Sequence, residues 1–270
     1  MSSDSKCSSC GDKTSGCDPN TCKTPDVLPQ NEHNVINKVI AVMSGKGGVG
    51  KSSVSSLMAV GLIRQGFKVG ILDADITGPS IPRLFGIKDR PDHVGDFLLP
   101  AKTRTGIKIM SINLLLPNED DPVIWRGPIL AGAVKQFWTD VAWGKLDYLI
   151  VDLPPGTGDV PLTVMQSLPL NGMVVVTSPH ELARMVVRKA AKMAIQMSIP
   201  IMGYVENMSY FKCPDCCKEY DIFGKSGNKK GDRVNGSTFI EVLPIDPKLS
   251  ELSDQGRIED YEMSFFNEPI

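Results

Sequence analysis

The sequence lacks the features that mark membrane-spanning, secreted and nucleic-acid-coating proteins. No apolar run among its 270 residues approaches the roughly 20 residues that a membrane helix requires. Lys and Arg number 29 against 31 Asp and Glu, a formal net charge of -2, so the basic excess that would hold nucleic acid or anionic lipid is absent. The opening residues, MSSDSKCSSCGDK, contain no hydrophobic signal region. We therefore expect a cytoplasmic protein that binds neither nucleic acid nor membrane.

Cysteine is missing from the long middle of the chain, and histidine is scarce throughout. None of the 3 histidines is paired with a convincing nucleophile or set of metal ligands, so we expect no histidine-based site. The 7 cysteines instead form two groups. These are Cys7, Cys10, Cys17 and Cys22 near the start, and Cys213, Cys216 and Cys217 near the end. In a cytosolic chain such groups indicate metal ligands or redox thiols rather than disulfides.

Composition divides the chain into a tail and one folded domain. Residues 1–34 are rich in Ser, Asp, Pro, Gly and Asn and show no apolar period, which predicts a flexible Cys-rich tail. The tail spacing C-x2-C-x6-C-x4-C leaves open a second cluster within one subunit or a thiol relay. Residues 35–270 are predicted to form the domain, and a hydrophobic content of 41% supplies its core.

Short apolar runs alternate with helix-length segments along the predicted domain. The predicted strands are Val39–Met43, Val69–Leu72, Ile107–Met110, Tyr148–Val151, Met173–Val176, Ile201–Val205 and Phe239–Leu243. The predicted helices lie at about 51–65, 128–143, 160–168 and 181–197, with a last helix at Pro247–Gln255. Near-continuous apolar strands separated by helices predict an α/β fold, with a mostly parallel sheet covered by helices on both faces.

A phosphate-binding motif follows the first predicted strand. The motif G-x-x-x-x-G-K-[ST] is formed by Gly45, Lys46, Gly47, Gly48, Val49, Gly50, Lys51 and Ser52. Its glycines let backbone N–H groups turn toward phosphate oxygens, and the helix that follows presents its positive end to them. The motif predicts a nucleotide-binding loop in which Lys51 contacts the β- and γ-phosphates and the Ser52 hydroxyl ligates Mg²⁺.

Acidic residues follow two of the predicted strands. Asp73 and Asp75 end the second strand, and Asp152 ends the strand Tyr148–Val151. Ligands of open α/β sheets bind at this carboxyl edge, so we expect the acids to face the nucleotide. Asp152 is predicted to hold Mg²⁺, through water. The glycines and prolines of DLPPGTGD, residues 152–159, are typical of a switch that senses the γ-phosphate.

The loop carries a second lysine, Lys46, that the general motif does not require. The sequence GKGGVGKS is similar to the deviant Walker A loop of the ATPase class that includes the nitrogenase iron protein, the arsenite-pump ATPase and the Min and Par positioning ATPases. This resemblance implies that Lys46 crosses a homodimer interface and stabilises charge on the partner's nucleotide, as an arginine finger does. It also implies that Asp75 orients the attacking water, with Asp73 in support. On the residues alone, a solvated Lys46 is the alternative.

Further segments narrow the resemblance to one family. The segments are DADITGPSIP at 73–82, WRGP at 125–128, DLPPGTGD at 152–159, ENMS at 206–209 and CPDC at 213–216. They resemble the Mrp/ApbC family of iron–sulfur cluster carrier ATPases, from about Val35 to Leu252. The resemblance implies slow ATP hydrolysis coupled to cluster loading or transfer, with Asn207 bonded to the adenine ring. The implied partners are a cluster-assembly scaffold and recipient apoproteins.

The C-x-x-C pair is the centre of the family interpretation. Cys213 and Cys216 supply two thiolates, whereas an all-cysteine cluster or a structural zinc usually takes four. On the residues alone, a zinc turn or a dithiol switch remains an alternative. The resemblance implies that two pairs meet across the dimer axis and hold a labile [4Fe–4S] cluster. Cys217 departs from the family pattern, and we interpret it as a bystander.

Other members of the ATPase class fit the sequence less well. A nitrogenase-type reductase would place single, widely separated cysteines in the middle of the chain, which has none. A Min-type ATPase should end in a basic amphipathic helix, whereas residues 258–264 are acidic. A Par-type ATPase needs a basic surface for DNA, which the charge balance does not favour. The alternative function is a zinc-stabilised regulatory ATPase of the same fold.

Overall fold

A nine-stranded sheet forms the centre of the computed structural model, which describes residues 27–76, 78–116, 127–179, 189, 192–224, 228–234 and 236–268. The strands of these ranges are β1 Val35–Ser44, β2 Val69–Asp73, β3 His93–Val94, β4 Phe97–Leu98, β5 Ala101–Lys102, β6 Lys108–Ser111, β7 Lys145–Asp152, β8 Gly172–Thr177, β9 Ile201–Glu206, β10 Phe211–Lys212, β11 Glu219–Tyr220, β12 Arg233–Val234 and β13 Ser237–Val242. The helices are α1 Lys51–Arg64, α2 Ile81–Leu84, α3 Gly127–Thr139, α4 Asp159–Ser167 and α5 Pro247–Asp254. Residues 192–196 are also helical, and 3-10 turns lie at Ile112–Leu115 and Ile258–Asp260.

The sheet is parallel except at its two edges. Its strand order is β12-β13-β9-β8-β1-β7-β2-β6-β5. All neighbours from β13 to β6 pair in parallel, while β12 and β5 pair antiparallel with the strands beside them. The α/β fold with a mostly parallel sheet, predicted from the sequence, is confirmed. No helix in the described ranges is long and apolar enough to cross a membrane.

Two hydrophobic cores cover the two faces of the sheet. Successive side chains of a strand point to opposite faces, and β1 divides its residues accordingly. Ala41 and Met43 belong to the core that α3 and α4 cover, whereas Ile40 and Val42 belong to the core that α1 covers. Because both faces are buried, the central strands consist almost wholly of apolar residues. Their polar residues therefore stand out at the strand ends, where the candidate site lies.

The predicted strands and helices lie close to the observed ones, with one clear correction. The helix predicted at 128–143 ends at Thr139. Residues 140–142 instead pair with Leu98, whose N–H donates to the Asp140 carbonyl at 2.9 Å and whose carbonyl accepts from Ala142 N–H at 2.8 Å. This long-range pairing ends the helix. Most of the helix predicted at 181–197 lies outside the described residues.

The end of the predicted tail packs on the domain. Residues 1–26, with their four cysteines, lie outside the described ranges, so the division at residue 34 stays a prediction for them. Nearer the domain, Leu28 N–H donates to the Ser167 carbonyl at 2.8 Å. The Trp138 indole N–H in turn donates to the Leu28 carbonyl at 3.2 Å. Contacts with the domain therefore begin before β1.

Asn34 joins this entering segment to the start of β7. Its side chain is buried, and its Nδ2 donates to the Val141 carbonyl at 2.9 Å. Its Oδ1 accepts from Gly144 N–H at 3.0 Å. One side chain thus bonds two backbone groups, of which the Val141 carbonyl also accepts from Asn31 Nδ2 at 3.0 Å and from Trp143 N–H at 3.1 Å.

Replacing Asn34 with Ala should destabilise the fold because Gly144 N–H loses its partner and the Val141 carbonyl loses one of its donors. The loss should be roughly 1–3 kcal/mol, the usual cost of an unsatisfied buried polar group. Urea unfolding measures it as a lower midpoint at unchanged slope. Asn37→Ala is the matched control, since Asn37 lies three residues further along, on β1, but is exposed and bonds Asp147 at 3.3 Å. Equal midpoints for Asn34→Ala and Asn37→Ala would contradict this role of Asn34.

Candidate functional site

The glycine-rich loop links β1 to α1 in a conformation that requires glycine twice. Gly48 and Gly50 have φ values of 79° and 74°, in the left-handed region that other residues rarely adopt. A side chain at Gly50 would also collide with the amide of Asn207. Helix α1 begins at Lys51, directly after the loop, so its unpaired N-terminal N–H groups face the loop. The loop and helix end together suit a phosphate group.

Lys51 and Ser52 meet the predicted acids at the carboxyl edge of the sheet. The Lys51 ammonium lies 2.7 Å from Asp152 Oδ2 and 3.8 Å from Asp75 Oδ2. The Ser52 hydroxyl donates to the same Asp152 oxygen at 2.6 Å. The structure therefore brings together four residues from three separate parts of the sequence. The hydroxyl and carboxylate oxygens of Ser52 and Asp152 are the ligand type that Mg²⁺ prefers, so these residues fit the ion.

Sequence reasoning missed Ser55, which completes the contacts of Asp152. The Ser55 hydroxyl is fully buried and donates to Asp152 Oδ1 at 2.6 Å. Both carboxylate oxygens of Asp152 therefore accept hydrogen bonds from α1. The available signal was spacing, because residues three apart on a helix lie on the same face and Ser55 follows Ser52 by three.

Asp73 lies beside Asp152 and shares its environment. The two residues are partners in the register of β2 and β7, and Asp73 is buried. Burial first, and then the nearby charge of Asp152, raise the pKa of Asp73 to about 8. Its carboxyl group accepts from the Ser111 hydroxyl at 3.1 Å and from Asp75 N–H at 3.2 Å. Asp73 thus supports the site as a largely protonated acid at neutral pH.

The segment DLPPGTGD lies against the glycine-rich loop. Gly156 N–H donates to the Ser44 carbonyl at 2.8 Å, and the Ser44 hydroxyl donates to the Lys46 carbonyl at 3.0 Å. A β-carbon on Gly47 would contact the Pro155 ring at 3.9 Å. Lys46 itself is exposed. The predicted switch and the loop are therefore neighbours, and Lys46 is accessible to another molecule.

Asn207 contacts the loop through its side chain. The residue is buried, and its Nδ2 donates to the Val49 carbonyl at 3.0 Å. Its backbone N–H donates to the Thr177 carbonyl at 2.9 Å. Sequence reasoning placed Asn207 at the nucleotide but missed this contact with the loop backbone. The predicted bond to adenine stays a prediction.

Cys213 and Cys216 lie in the turn of a small hairpin formed by β10 and β11. Cys213 is half-buried, whereas Cys216 and Cys217 are exposed. The backbone N–H groups of Cys216 and Asp215, together with the Cys216 thiol, lower the pKa of the Cys213 thiol. Hydrogen bonds to sulfur favour the thiolate, which is the form that binds metals. Within the described residues, no three His, Cys, Asp or Glu side chains gather as a metal site, so the pair stands alone there.

The sequence matches a known family over almost its whole length. Residues 35–267 match the ParA model described as the NUBPL iron-transfer P-loop NTPase. The chain belongs to this family. The iron–sulfur cluster carrier protein of Methanocaldococcus jannaschii is 46% identical over 262 residues, 94% of this chain and 88% of that protein. The protein of the same name from Clostridium perfringens is 44% identical over 264 residues, 95% of this chain and 91% of that protein.

Solved structures agree with the NUBPL-type fold. A nucleotide-binding protein from Archaeoglobus fulgidus in complex with ADP matches with a TM-score of 0.74 at 47% identity, over 86% of this chain and 91% of that chain. The septum site-determining protein MinD from Pyrococcus horikoshii, complexed with Mg-ADP, matches with a TM-score of 0.56 at 20% identity, over 82% of this chain and 86% of that chain. The second likeness concerns the fold alone. The predicted P-loop NTPase of the Min and Par class is confirmed.

The raised pKa of Asp73 makes stability depend on pH. In the folded state the pKa of Asp73 is about 8, whereas in the unfolded state it is near the ordinary aspartate value of 3.8. The stability that Asp73 contributes is therefore full below about pH 4 and is lost as the pH rises through about 8. Asp73→Asn, neutral at every pH, should flatten this decline.

Urea midpoints in EDTA, measured across that pH range, test the effect of Asp73. Asp89→Asn is the control, because Asp89 is exposed and should leave the slope of stability against pH unchanged. If Asp73→Asn lost stability with pH as steeply as the unaltered protein, the protonation of Asp73 in the folded state would be refuted.

Proposed function

We propose that the protein is an ATP-binding and ATP-hydrolysing carrier of iron–sulfur clusters. It holds a labile [4Fe–4S] cluster between two identical subunits and transfers it to apoproteins in the cytoplasm. The observation that carries this proposal is the hairpin of Cys213 and Cys216, which presents two thiols at the surface of a P-loop NTPase domain. Relatives that are 46% and 44% identical over nearly the whole chain and are named iron–sulfur cluster carrier proteins support it.

The nucleotide chemistry follows from the charges gathered around Lys51. Its ammonium, placed between Asp152 and Asp75, would move onto the β- and γ-phosphates, whose negative charge exceeds that of the carboxylates. Lys46, exposed at the loop, would reach the nucleotide of the partner subunit. Ser52 and Asp152 would hold Mg²⁺, which supplies neutralising charge to the phosphates. Asp75 would accept a hydrogen bond from the attacking water and orient it.

The cluster is cargo, and the exposed hairpin suits its release. One hairpin offers two thiolates, so two hairpins related by a two-fold axis would offer the usual four. The same axis would bring Lys46 to the partner's nucleotide, so that nucleotide and cluster share one dimer. A cluster-assembly scaffold would supply the cargo, and recipient apoproteins would accept it. Cys217 stays outside the proposed ligand set.

Lys51→Ala should abolish Mg²⁺-dependent ATP turnover because the main positive charge on the phosphates is lost. The expected fall is at least about 100-fold, as for other groups that stabilise transition-state charge. Lys46→Ala should reduce turnover by a similar factor while ATP affinity changes little. A steady-state ATPase assay and a separate binding titration measure the two quantities.

Lys145→Ala is the control for both lysine variants. Lys145 is exposed at the opposite end of β7 from Asp152, so its loss should leave turnover unchanged. Turnover by Lys51→Ala at the level of Lys145→Ala would remove the site assignment. A loss of affinity in Lys46→Ala as large as the loss of turnover would remove the role of Lys46 across the interface.

The cysteine pair should hold the cluster without help from the tail. In the full chain with Cys7, Cys10, Cys17 and Cys22 changed to Ser, anaerobic reconstitution should give about four irons per dimer and broad visible absorption. In that background, Cys213→Ala or Cys216→Ala should lose both signals, and Cys217→Ala should keep them. If zinc fills the site and iron never assembles, the protein is a zinc-stabilised ATPase instead of a cluster carrier.

A further inference from the structure

One continuous segment, residues 206–213, connects the nucleotide loop to the cysteine hairpin. Near its start, the buried side chain of Asn207 donates to the Val49 carbonyl in the loop at 3.0 Å. Its last residue is Cys213. A displacement of Asn207 therefore acts on backbone that leads directly into the C-x-x-C pair.

The carboxylate of Glu206 braces the first turn of this segment. Glu206 is buried at the end of β9, and its Oε1 accepts from the Ser209 hydroxyl at 2.8 Å. Its Oε2 accepts from Asn228 Nδ2 at 2.8 Å. Met208, inside the turn, has a φ of 58°, which a non-glycine residue adopts only when its surroundings hold it there. The turn of residues 206–209 is therefore closed by side chains as well as by backbone.

Backbone hydrogen bonds join both ends of the turn to residues 243–245, which follow β13. Ser209 N–H donates to the Leu243 carbonyl at 2.9 Å, and Leu243 N–H donates to the Glu206 carbonyl at 2.8 Å. The next residue is also held, because Ile245 N–H donates to the Tyr210 carbonyl at 2.6 Å. Residues 206–210 and 243–245 are thus linked, so a shift at Asn207 would move them together.

The hairpin beyond Tyr210 has room to change its position. The hydrogen bonds of its turn are internal, with Cys213 N–H donating to the Lys218 carbonyl at 3.0 Å and Cys217 N–H to the Cys213 carbonyl at 2.9 Å. A cavity of about 540 Å³ lies between this turn and the C-terminal part of the chain, with Cys213 and Tyr261 on its wall. The cavity leaves open space beside the turn.

We propose that Glu206 and Ser209 are positioning residues that transmit nucleotide occupancy of the loop to the thiols of Cys213 and Cys216. Phosphate groups bind the N–H groups of the loop, so the loop backbone that Asn207 contacts adjusts to them. Because Glu206 and Ser209 keep the turn rigid, the adjustment reaches Tyr210 and tilts the hairpin. The inference rests on the nucleotide binding of the proposed function but requires no bound cluster.

Peptide-resolved alkylation of the full, metal-free chain tests this transmission. Iodoacetamide labels the thiols, trypsin releases residues 213–218 as one peptide, and fragment masses separate Cys213 from Cys216. In the unaltered protein, saturating Mg-ATP should change the labelling rate of Cys213 by about fivefold or more, the lower range of coupling between two sites. Ser209→Ala should abolish this change while binding Mg-ATP with the same affinity, measured by titration calorimetry.

Two further variants separate positioning from general stability. Glu206→Gln keeps an oxygen that accepts from the Ser209 hydroxyl, and the Asn228 amide can turn so that its oxygen accepts from the new amide nitrogen, so this variant should keep the nucleotide effect. Ser253→Ala is the matched control, because Ser253 is also a buried serine whose hydroxyl donates to a carbonyl, that of Leu249 at 2.7 Å. It lies on α5, outside the segment, and should leave both affinity and labelling unchanged.

The possible outcomes distinguish this inference from the proposed function. If Ser209→Ala binds Mg-ATP and keeps the full labelling change, the positioning role is overturned. If the unaltered protein binds Mg-ATP with no labelling change at either cysteine, the transmission is overturned while nucleotide binding stands. If the unaltered protein binds no Mg-ATP, the proposed function and the inference fall together.

Discussion

The ion pair and hydrogen bonds of the buried Asp152 carboxylate are the interactions on which the candidate nucleotide site depends. A charge with no solvent exposure is tolerated only when it is paired and hydrogen-bonded, and Asp152 has the ammonium of Lys51 and the hydroxyls of Ser52 and Ser55. All three donors belong to the first turns of α1. Asp152 therefore fixes the start of α1 against the end of β7, and this contact sets the position of the glycine-rich loop that leads from β1 into α1.

The parallel register extends this arrangement to the other acids. Since β2 pairs with β7 so that Asp73 lies opposite Asp152, the sheet places two carboxyl groups side by side and only one ammonium near them. Burial of Asp73 first, and then the neighbouring charge of Asp152, raise the pKa of Asp73 to about 8, and its proton takes the place of a second positive charge. Bound phosphate and Mg²⁺ would change that balance, because the ion adds positive charge where the acids meet.

The sequence sufficed for the features that local pattern encodes, and it failed where distant residues decide. The strands, the glycine-rich loop and the acids at the strand ends follow from apolar runs and motif spacing. The end of α3 does not, because pairing of residues 140–142 with Leu98 overrides helical pattern. The contacts of Ser55 with Asp152 and of Asn207 with Val49 join residues about a hundred or more positions apart. Spacing on α1 places Ser55 beside Ser52, but no local pattern identifies Asp152 or Val49 as the partner.

The two candidate sites differ in construction, and the difference matches their proposed tasks. The candidate nucleotide site is built from buried side chains at the carboxyl ends of strands in the nine-stranded sheet. There, rigid hydrogen-bond donors can stabilise the charge that develops in a transition state. Cys213 and Cys216 lie on a hairpin of two short strands, β10 and β11, which is too small to be stable by itself. Its geometry therefore depends on the contacts at its base, near Tyr210 and Ile245. This arrangement suits the proposed release of a cluster. The turn that carries Cys213 and Cys216 is held only at its base, so a change at the base alters the positions of the two thiols.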